Sequence, residues 1–137
     1  MNDKCAAGTG RFLENMAKVL EIDLDGISKA GLDWKEDLTI SSMCTVFAES
    51  EVVSLIADNK TVGDIVHGLD KSVASKVLTL VNRVGKESRF MMTGGGARNL
   101  GVVACIEELL GEKLFIPETP DLCGAVGAAL FALDNKE

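Results

Sequence analysis

The fold is decided by the stretch RFMMTGGGARNLGVVACIEELLG, residues 89–111. Its first part, residues 89–93, is short and largely apolar, which predicts a buried strand. Three glycines at 94–96 follow directly. A helix is predicted from about Asn99 to Leu110, and Gly111 is placed to close it. Strand, glycine turn and helix in this order indicate an α/β protein.

The flanking sequence extends this pattern. Residues 113–116 predict a second strand, and residues 122–133 predict a last helix. The order strand, helix, strand, helix implies two adjacent parallel strands. Further helices are predicted upstream at 9–21, 45–58 and 61–84, residues 23–31 are predicted to form a short helix or a turn, and residues 38–40 a brief strand-like or extended segment. Because two strands make a poor sheet alone, we infer that other strands are missing or come from another copy.

Composition limits the class of protein. The chain has 137 residues, which predicts one domain over 1–137, and its 47% apolar and 26% charged content is that of a globular protein. A net charge of −7 argues against nucleic acid as a partner. No apolar run reaches the roughly 18–20 residues of a membrane span, and no signal peptide opens the chain. We expect no membrane contact and a cytoplasmic location.

The glycine turn is a candidate nucleotide site. Gly94, Gly95 and Gly96 let a ligand approach the backbone closely, and the helix start at Asn99 offers N–H donors. A tight turn without any ligand explains the same pattern. The sequence matches neither the dinucleotide fingerprint nor the Walker A motif, so the pattern leaves both readings open.

A second small loop, Ala7-Gly8-Thr9-Gly10, is predicted ahead of the first helix. The backbone N–H groups of Gly8, Thr9 and Gly10 are candidates for holding an anion, either a phosphate or the sulfides of a cluster. The alternative is an ordinary N-terminal cap made by Thr9, and spacing alone favours this alternative.

Two cysteines, Cys5 and Cys44, lie in similar settings, each a few residues ahead of a predicted helix start. A helix N-terminus carries unpaired N–H groups and a partial positive charge, which stabilise a thiolate. The alternative is a pair of small buried side chains. Two thiolates are too few for a four-ligand metal centre, but a two-fold symmetric pair of chains supplies four.

We expect structural roles for the other two cysteines and for the single histidine. Cys105 and Cys123 lie in apolar surroundings and are expected to be core thiols. His67 is expected to be a surface or hydrogen-bonded residue rather than a ligand. No Ser/His/Asp or Cys/His grouping is expected.

Three segments together resemble one family: residues 2–12, 44–52 and 93–99. Their order and spacing are similar to those of the activators of 2-hydroxyacyl-CoA dehydratases, which are related to the ATPase subunits of benzoyl-CoA reductase. The resemblance implies the actin-like (sugar kinase/Hsp70-like) ATPase fold of two related domains. It also implies that this chain is the C-terminal half, with a truncated sheet and several helices, and that the N-terminal ATPase half is absent.

The resemblance implies cofactors and partners as well. It implies a homodimer that holds one [4Fe-4S] cluster between its subunits through Cys5 and Cys44, and an adenosine site for ATP or ADP at the glycine turn. In the full-length protein Mg²⁺ accompanies the nucleotide. An electron from ferredoxin or flavodoxin is passed to the dehydratase component when ATP is hydrolysed. We expect this chain by itself to be inactive as an ATPase.

Two other functions remain open from the sequence. One is a binding or dimerisation module without redox chemistry, in which the cysteines are ordinary thiols. The other is a fragment of a sugar-kinase-like phosphotransferase, which would need the glycine turn but neither Cys5 nor Cys44.

Overall fold

The computed structural model describes residues 8–41 and 44–135. Every helix predicted from the sequence is present within these residues. The helices are α1 (Thr9–Val19), α2 (Leu24–Ala30), α3 (Thr45–Ala57), α4 (Val62–Val84), α5 (Leu100–Leu110) and α6 (Cys123–Asp134), with a 3₁₀ turn at Gly95–Arg98 before α5.

Side chains and glycine fix the helix ends. The Thr61 side chain accepts a hydrogen bond from the backbone N–H of Asp64 at 3.2 Å and caps α4. Gly111 ends α5 in the left-handed region, at φ 70°, where a residue without Cβ is not strained. These ends are specified within a few residues of sequence, which is why their prediction is confirmed.

The helices surround one hydrophobic core. Helix α4 packs chiefly against α5, and α1 and α2 close the core from the other side. Helix α3 packs against α1 and α4 through one face only. The largest fully buried apolar side chains are Phe12, Met16, Ile27, Val52, Ile65, Val66, Leu69 and Val102.

Among the described residues, the predicted pairing of residues 89–93 with 113–116 is reduced to a parallel bridge between Met91 and Phe115. The N–H of Met92 donates to the carbonyl of Phe115 at 3.0 Å, and the N–H of Phe115 donates to the carbonyl of Phe90 at 2.9 Å. The parallel direction is therefore confirmed, but the described residues are mostly helical and contain no sheet. Two short segments without a third strand cannot sustain a ladder, and residues 38–40 run extended without pairing to them.

Helix α6 is exposed on all sides. None of its residues is buried within the described part of the chain. Large apolar side chains on and beside it are half or more accessible: Leu122, Val126, Leu130, Phe131 and Leu133. None of the described helices is both long and apolar enough to cross a membrane.

Candidate functional site

The two glycine loops singled out in the sequence line one cavity of about 350 Å³. Gly10 belongs to the first turn of α1, and Gly95 and Gly96 belong to the 3₁₀ turn. The cavity walls are completed by apolar and polar side chains of α1, α2 and the turn: Leu13, Glu14, Leu24, Asp25, Ile27, Ser28, Arg98 and Asn99. Two distant parts of the sequence thus meet at a single site.

The remaining loop residues lie beside this cavity rather than in its wall. Gly8 is the N-cap of α1, and Thr9 is the first helical residue, so the expected cap by Thr9 is wrong. Gly8 provides no side-chain cap, and its carbonyl accepts a hydrogen bond from the N–H of Phe12 at 3.0 Å. Gly94 also lies outside the wall, at φ 85°, a conformation that favours glycine.

The turn between the bridge and α5 is held by backbone contacts. The N–H of Gly94 donates to the carbonyl of Pro120 at 2.7 Å, and the N–H of Ala97 donates to the carbonyl of Gly94 at 3.1 Å. The Asn99 side chain accepts a hydrogen bond from the N–H of Val102 at 2.9 Å. Asn99 therefore lines the cavity while its side-chain oxygen caps α5, so its first role is to position the turn.

Ser28 is a positioning residue that the sequence did not reveal. Its hydroxyl donates to the carbonyl of Arg98 at 3.2 Å and accepts from the N–H of Leu100 at 3.0 Å. These bonds fix α2 to the start of α5 across the floor of the cavity. A contact between residues 70 positions apart leaves no local signal.

Arg98 ties the same turn to the segment before α6. Its guanidinium donates to Asp121 Oδ1 from Nη2 at 2.5 Å and from Nε at 3.0 Å. The Arg98 hydrogen bond holds the pKa of Asp121 below its usual range. Hydrogen bonds therefore hold the turn in place on both sides, and Gly95 and Gly96 line the cavity.

The cavity has the size and the mixed apolar and polar lining of a small-molecule site. Its volume lies in the range of small-molecule pockets, and its walls combine Leu13, Leu24 and Ile27 with glycines that expose the backbone. Glu14 and Asp25 supply carboxylates that can accept hydrogen bonds from hydroxyl groups. This set of groups fits a nucleoside.

Cys44 lies at the N-cap of α3, as predicted. It is partly exposed, and its carbonyl accepts the first helical hydrogen bond, from the N–H of Ala48 at 2.9 Å. The carboxylate of Glu51 on α3 accepts from the N–H of Ser41 at 3.0 Å and from its hydroxyl at 2.9 Å. These two hydrogen bonds tie Ser41 to α3, the helix that begins directly after Cys44.

The second predicted ligand, Cys5, lies outside the described residues. Among the residues that are described, no group of three or more His, Cys, Asp or Glu side chains is arranged to hold a metal. Cys44 is therefore not part of a closed metal site made by the described part of one chain. The donor type and its place at a helix end nevertheless fit a thiolate-ligated cluster that is shared between chains.

The surface of α3 beside Cys44 is apolar and exposed. Val46, Phe47 and Val53 are 53%, 66% and 53% accessible. Such exposed apolar groups on a helix favour a protein contact. The described face next to Cys44 thus suits contact with another protein surface.

The other cysteines differ from each other. Cys105 is buried, as expected, and burial raises the pKa of its thiol to about 11. Its Sγ lies 4.0 Å from Nδ1 of His67, so the expectation of no Cys/His grouping is wrong. A buried protonated thiol is not a nucleophile, however. Cys123 is only partly buried at the start of α6, so its assignment to the core is wrong because nothing described covers that helix.

His67 is a satisfied core residue, as expected. Its ring stacks on Trp34 with centroids 4.1 Å apart, and its Nε2 lies 3.8 Å from Oδ1 of Asp37. The stacked ring and the buried Cys105 fill the space between α4, α5 and the segment after α2. This grouping is structural.

Comparison with known proteins identifies similar chains. The 2-hydroxyisocaproyl-CoA dehydratase activator of Clostridioides difficile is 47% identical over all 137 residues, which cover 52% of its length. The (R)-2-hydroxyglutaryl-CoA dehydratase activating ATPase of Acidaminococcus fermentans is 48% identical over 132 residues, which cover 51% of its length. The chain thus spans about half the length of the curated relatives it matches.

Solved structures of two similar proteins share the fold of this chain. The activator of the 2-hydroxyisocaproyl-CoA dehydratase from Clostridium difficile with bound ADPNP has a TM-score of 0.88 and 47% identity, covering 97% of this chain and 50% of that one. The dehydratase component A of Acidaminococcus fermentans has the same TM-score over 95% of this chain. Residues 1–132 match the BadF/BadG/BcrA/BcrD ATPase family. The chain belongs to the BadF/BadG/BcrA/BcrD ATPase family.

Proposed function

We propose that this chain is the nucleotide- and cluster-binding half of an ATP-dependent electron-transfer activator of a 2-hydroxyacyl-CoA dehydratase. The observation that carries the proposal is the place of Cys44 at the N-cap of α3, in a chain whose relatives are named as dehydratase activators. On this proposal residues 1–137 form one domain, equivalent to the C-terminal half of a two-domain activator.

Cys5 and Cys44 are the proposed cluster ligands. Each chain provides two thiolates, so a homodimer provides the four that a [4Fe-4S] cluster needs. The exposed Val46, Phe47 and Val53 on α3 support a second copy at this end of the molecule. The positive end of α3 supports negative charge on the Cys44 sulfur. The cluster, when bound, supplies storage and transfer of one electron.

The glycine cavity is the proposed adenosine site. Gly10, Gly95 and Gly96 provide the close backbone approach, and Leu13 and Ile27 provide apolar wall. A similar protein has been solved with ADPNP bound, which supports a nucleotide here. The residues that hold the phosphates and Mg²⁺ are proposed to belong to the other half of the fold, so we expect this chain by itself not to hydrolyse ATP.

The proposed partners follow from the same role. The dehydratase component receives the electron, and a ferredoxin or flavodoxin supplies it. The relatives named above are activators of dehydratases, which supports the first of these partners.

Cysteine variants test the cluster assignment. The chain and its Cys5→Ser, Cys44→Ser, Cys105→Ser and Cys123→Ser variants are reconstituted anaerobically with iron and sulfide. Iron content and visible absorption are then measured. We expect the first two variants to lose the cluster and the last two to keep it, because Cys105 is buried and Cys123 lies on α6. A full-strength cluster in the Cys5→Ser or Cys44→Ser protein would refute the assignment.

A further inference from the structure

A second cavity lies away from the glycine turn. It has a volume of about 470 Å³ and is formed between the extended segment 38–41 and one face of α4. Its α4 side runs from Gly68 to Arg83 with the three- and four-residue spacing of a single helical face. None of its walls is shared with the glycine cavity. We call it the α4 groove.

Gly68 determines the shape of the α4 groove. A Cβ at this position would lie 3.1 Å from the carbonyl oxygen of Leu38 and 3.4 Å from Cγ1 of Ile40. The absence of a side chain lets segment 38–41 lie close on the helix, with Leu38 and Ile40 buried beneath it. Gly68 therefore sets how closely segment 38–41 approaches α4 along one side of the groove.

The charge of the α4 groove is opposite to that of the molecule. Its described lining includes Lys71, Lys76 and Arg83 and not one carboxylate, in a chain with 21 acidic and 14 basic residues. Lys71 donates to Asp37, just outside the lining. Over residues 8–41 and 44–135, neither Lys76 nor Arg83 has an ion-pair partner. Two cations on one helical face therefore lack a counter-charge.

Hydroxyl groups line the same groove. Thr39, Ser72, Ser75 and Thr79 line the α4 groove, and the Thr79 hydroxyl already donates to the carbonyl of Ser75 at 2.9 Å. Lysine, arginine and hydroxyl donors together are the groups that bind phosphate oxygens. Lys76 and Arg83 are separated by two helical turns, about 10.5 Å along the axis, which spans more than one phosphate group.

We propose that the α4 groove binds a phosphorylated small molecule through Lys76 and Arg83. The cavity volume is that of a small-molecule pocket, and its uncompensated positive charge fits an anion with more than one phosphate. The groove ends at Ser41, whose hydrogen bonds to Glu51 lead into α3. The proposal does not depend on the nucleotide or cluster assignments.

Titration of the isotope-labelled chain with inorganic pyrophosphate at low ionic strength tests the proposal, with backbone amide NMR shifts as the measurement. We expect shifts over residues 38–41 and 72–83. The Lys76→Ser/Arg83→Ser variant should weaken binding by about tenfold or more, since two charge-assisted hydrogen bonds are lost. The single variants should each show part of this loss, and circular dichroism verifies that each variant is folded.

The matched control is Lys18→Ser/Lys29→Ser. This variant removes the same charge from exposed positions on α1 and α2. Its affinity for pyrophosphate should stay within about twofold of that of the original chain. Equal weakening by both double variants would show diffuse attraction and overturn the proposal. Shifts confined to residues 94–99 would also overturn it, because they would assign pyrophosphate to the glycine cavity. Tighter binding of an all-glutamate peptide than of pyrophosphate would assign the groove to an acidic protein partner instead.

Discussion

The carboxylate of Asp70 lies directly against the backbone of Gly101, where a methyl group would overlap its Oδ2 atom. Gly31, at the end of α2, lies against the same oxygen. Asp70 is completely buried, and within the described structure neither of its oxygens has a hydrogen-bond partner. Burial raises the pKa of this carboxyl to about 8. Two glycines thus make room for an acid that is mainly uncharged at neutral pH.

Gly101→Ala should destabilise the chain. The added methyl group must displace the Asp70 side chain from a packed core, which costs about 1–3 kcal/mol of unfolding free energy. Urea denaturation followed by circular dichroism measures the change.

The control for this substitution is Gly127→Ala on α6. A Cβ there meets open space, so the better helix propensity of alanine should raise the free energy of unfolding by about 0.5–1 kcal/mol. If Gly101→Ala raises the free energy of unfolding as its control does, Asp70 and Gly101 are not in close contact.

Asp70→Asn should change how stability depends on pH. The folded-state pKa of Asp70 is about 8, above that of an unfolded aspartate, so between these two values the folded chain holds a proton that the unfolded chain has lost. The contribution of Asp70 to the free energy of unfolding is therefore largest at acid pH. It falls as the pH rises, by up to about 1.4 kcal/mol per pH unit.

An asparagine side chain at this position does not titrate, so it adds no such pH dependence. The difference in unfolding free energy between the variant and the original chain should therefore grow in favour of the variant by roughly 4 kcal/mol between about pH 5 and pH 8. Denaturation curves across that range measure it. Parallel pH profiles for the two proteins would contradict a buried, raised-pKa Asp70.

Asn99→Ala should cost about 1 kcal/mol, because it removes the acceptor for the N–H of Val102 at the start of α5. Asn99→Ser restores an N-cap acceptor and should recover most of the loss. Thermal unfolding of both variants is the measurement. Equal losses in both would show that the contribution of Asn99 is not capping.

Gly95→Val should block the nucleotide while leaving the fold intact. A Cβ at Gly95 meets nothing within 4 Å, yet the residue lines the glycine cavity. We expect about tenfold or weaker binding of a fluorescent ATP analogue, equivalent to a loss of about 1.4 kcal/mol or more.

Gly124→Val is the matched control for the cavity variant. It places the same side chain in open space on α6, away from the cavity, and should leave nucleotide affinity unchanged. Normal nucleotide binding by Gly95→Val would remove the glycine cavity from the proposed site.

Local signals account for what the sequence could predict. Thr61, Asn99 and Gly111 fix helix ends through contacts within three or four residues, so the helices were found with nearly correct bounds. The sequence predicts more sheet than the structure contains. Two short segments pair further only when neighbouring strands support them, and the described residues do not supply such strands. Ser28 and Asp70 act through residues distant in sequence, so periodicity and capping rules carry no information about them.

The candidate site was partly predictable for the same reason. Gly95 and Gly96 were identified from the strand–turn–helix pattern, and Gly10 from a second small loop, but only the folded structure shows that both line one cavity. The α4 groove was missed because its cations lie on a helix face that the sequence presents as ordinary solvated surface.

The most direct test of the central claim is the ratio of iron to chains in the anaerobically reconstituted protein, with molar mass measured on the same sample by light scattering. We expect a dimer that contains four iron atoms and four sulfides per two chains, since Cys5 and Cys44 from each copy provide the ligands. A cluster held by a monomer, or a colourless dimer without iron, would contradict it.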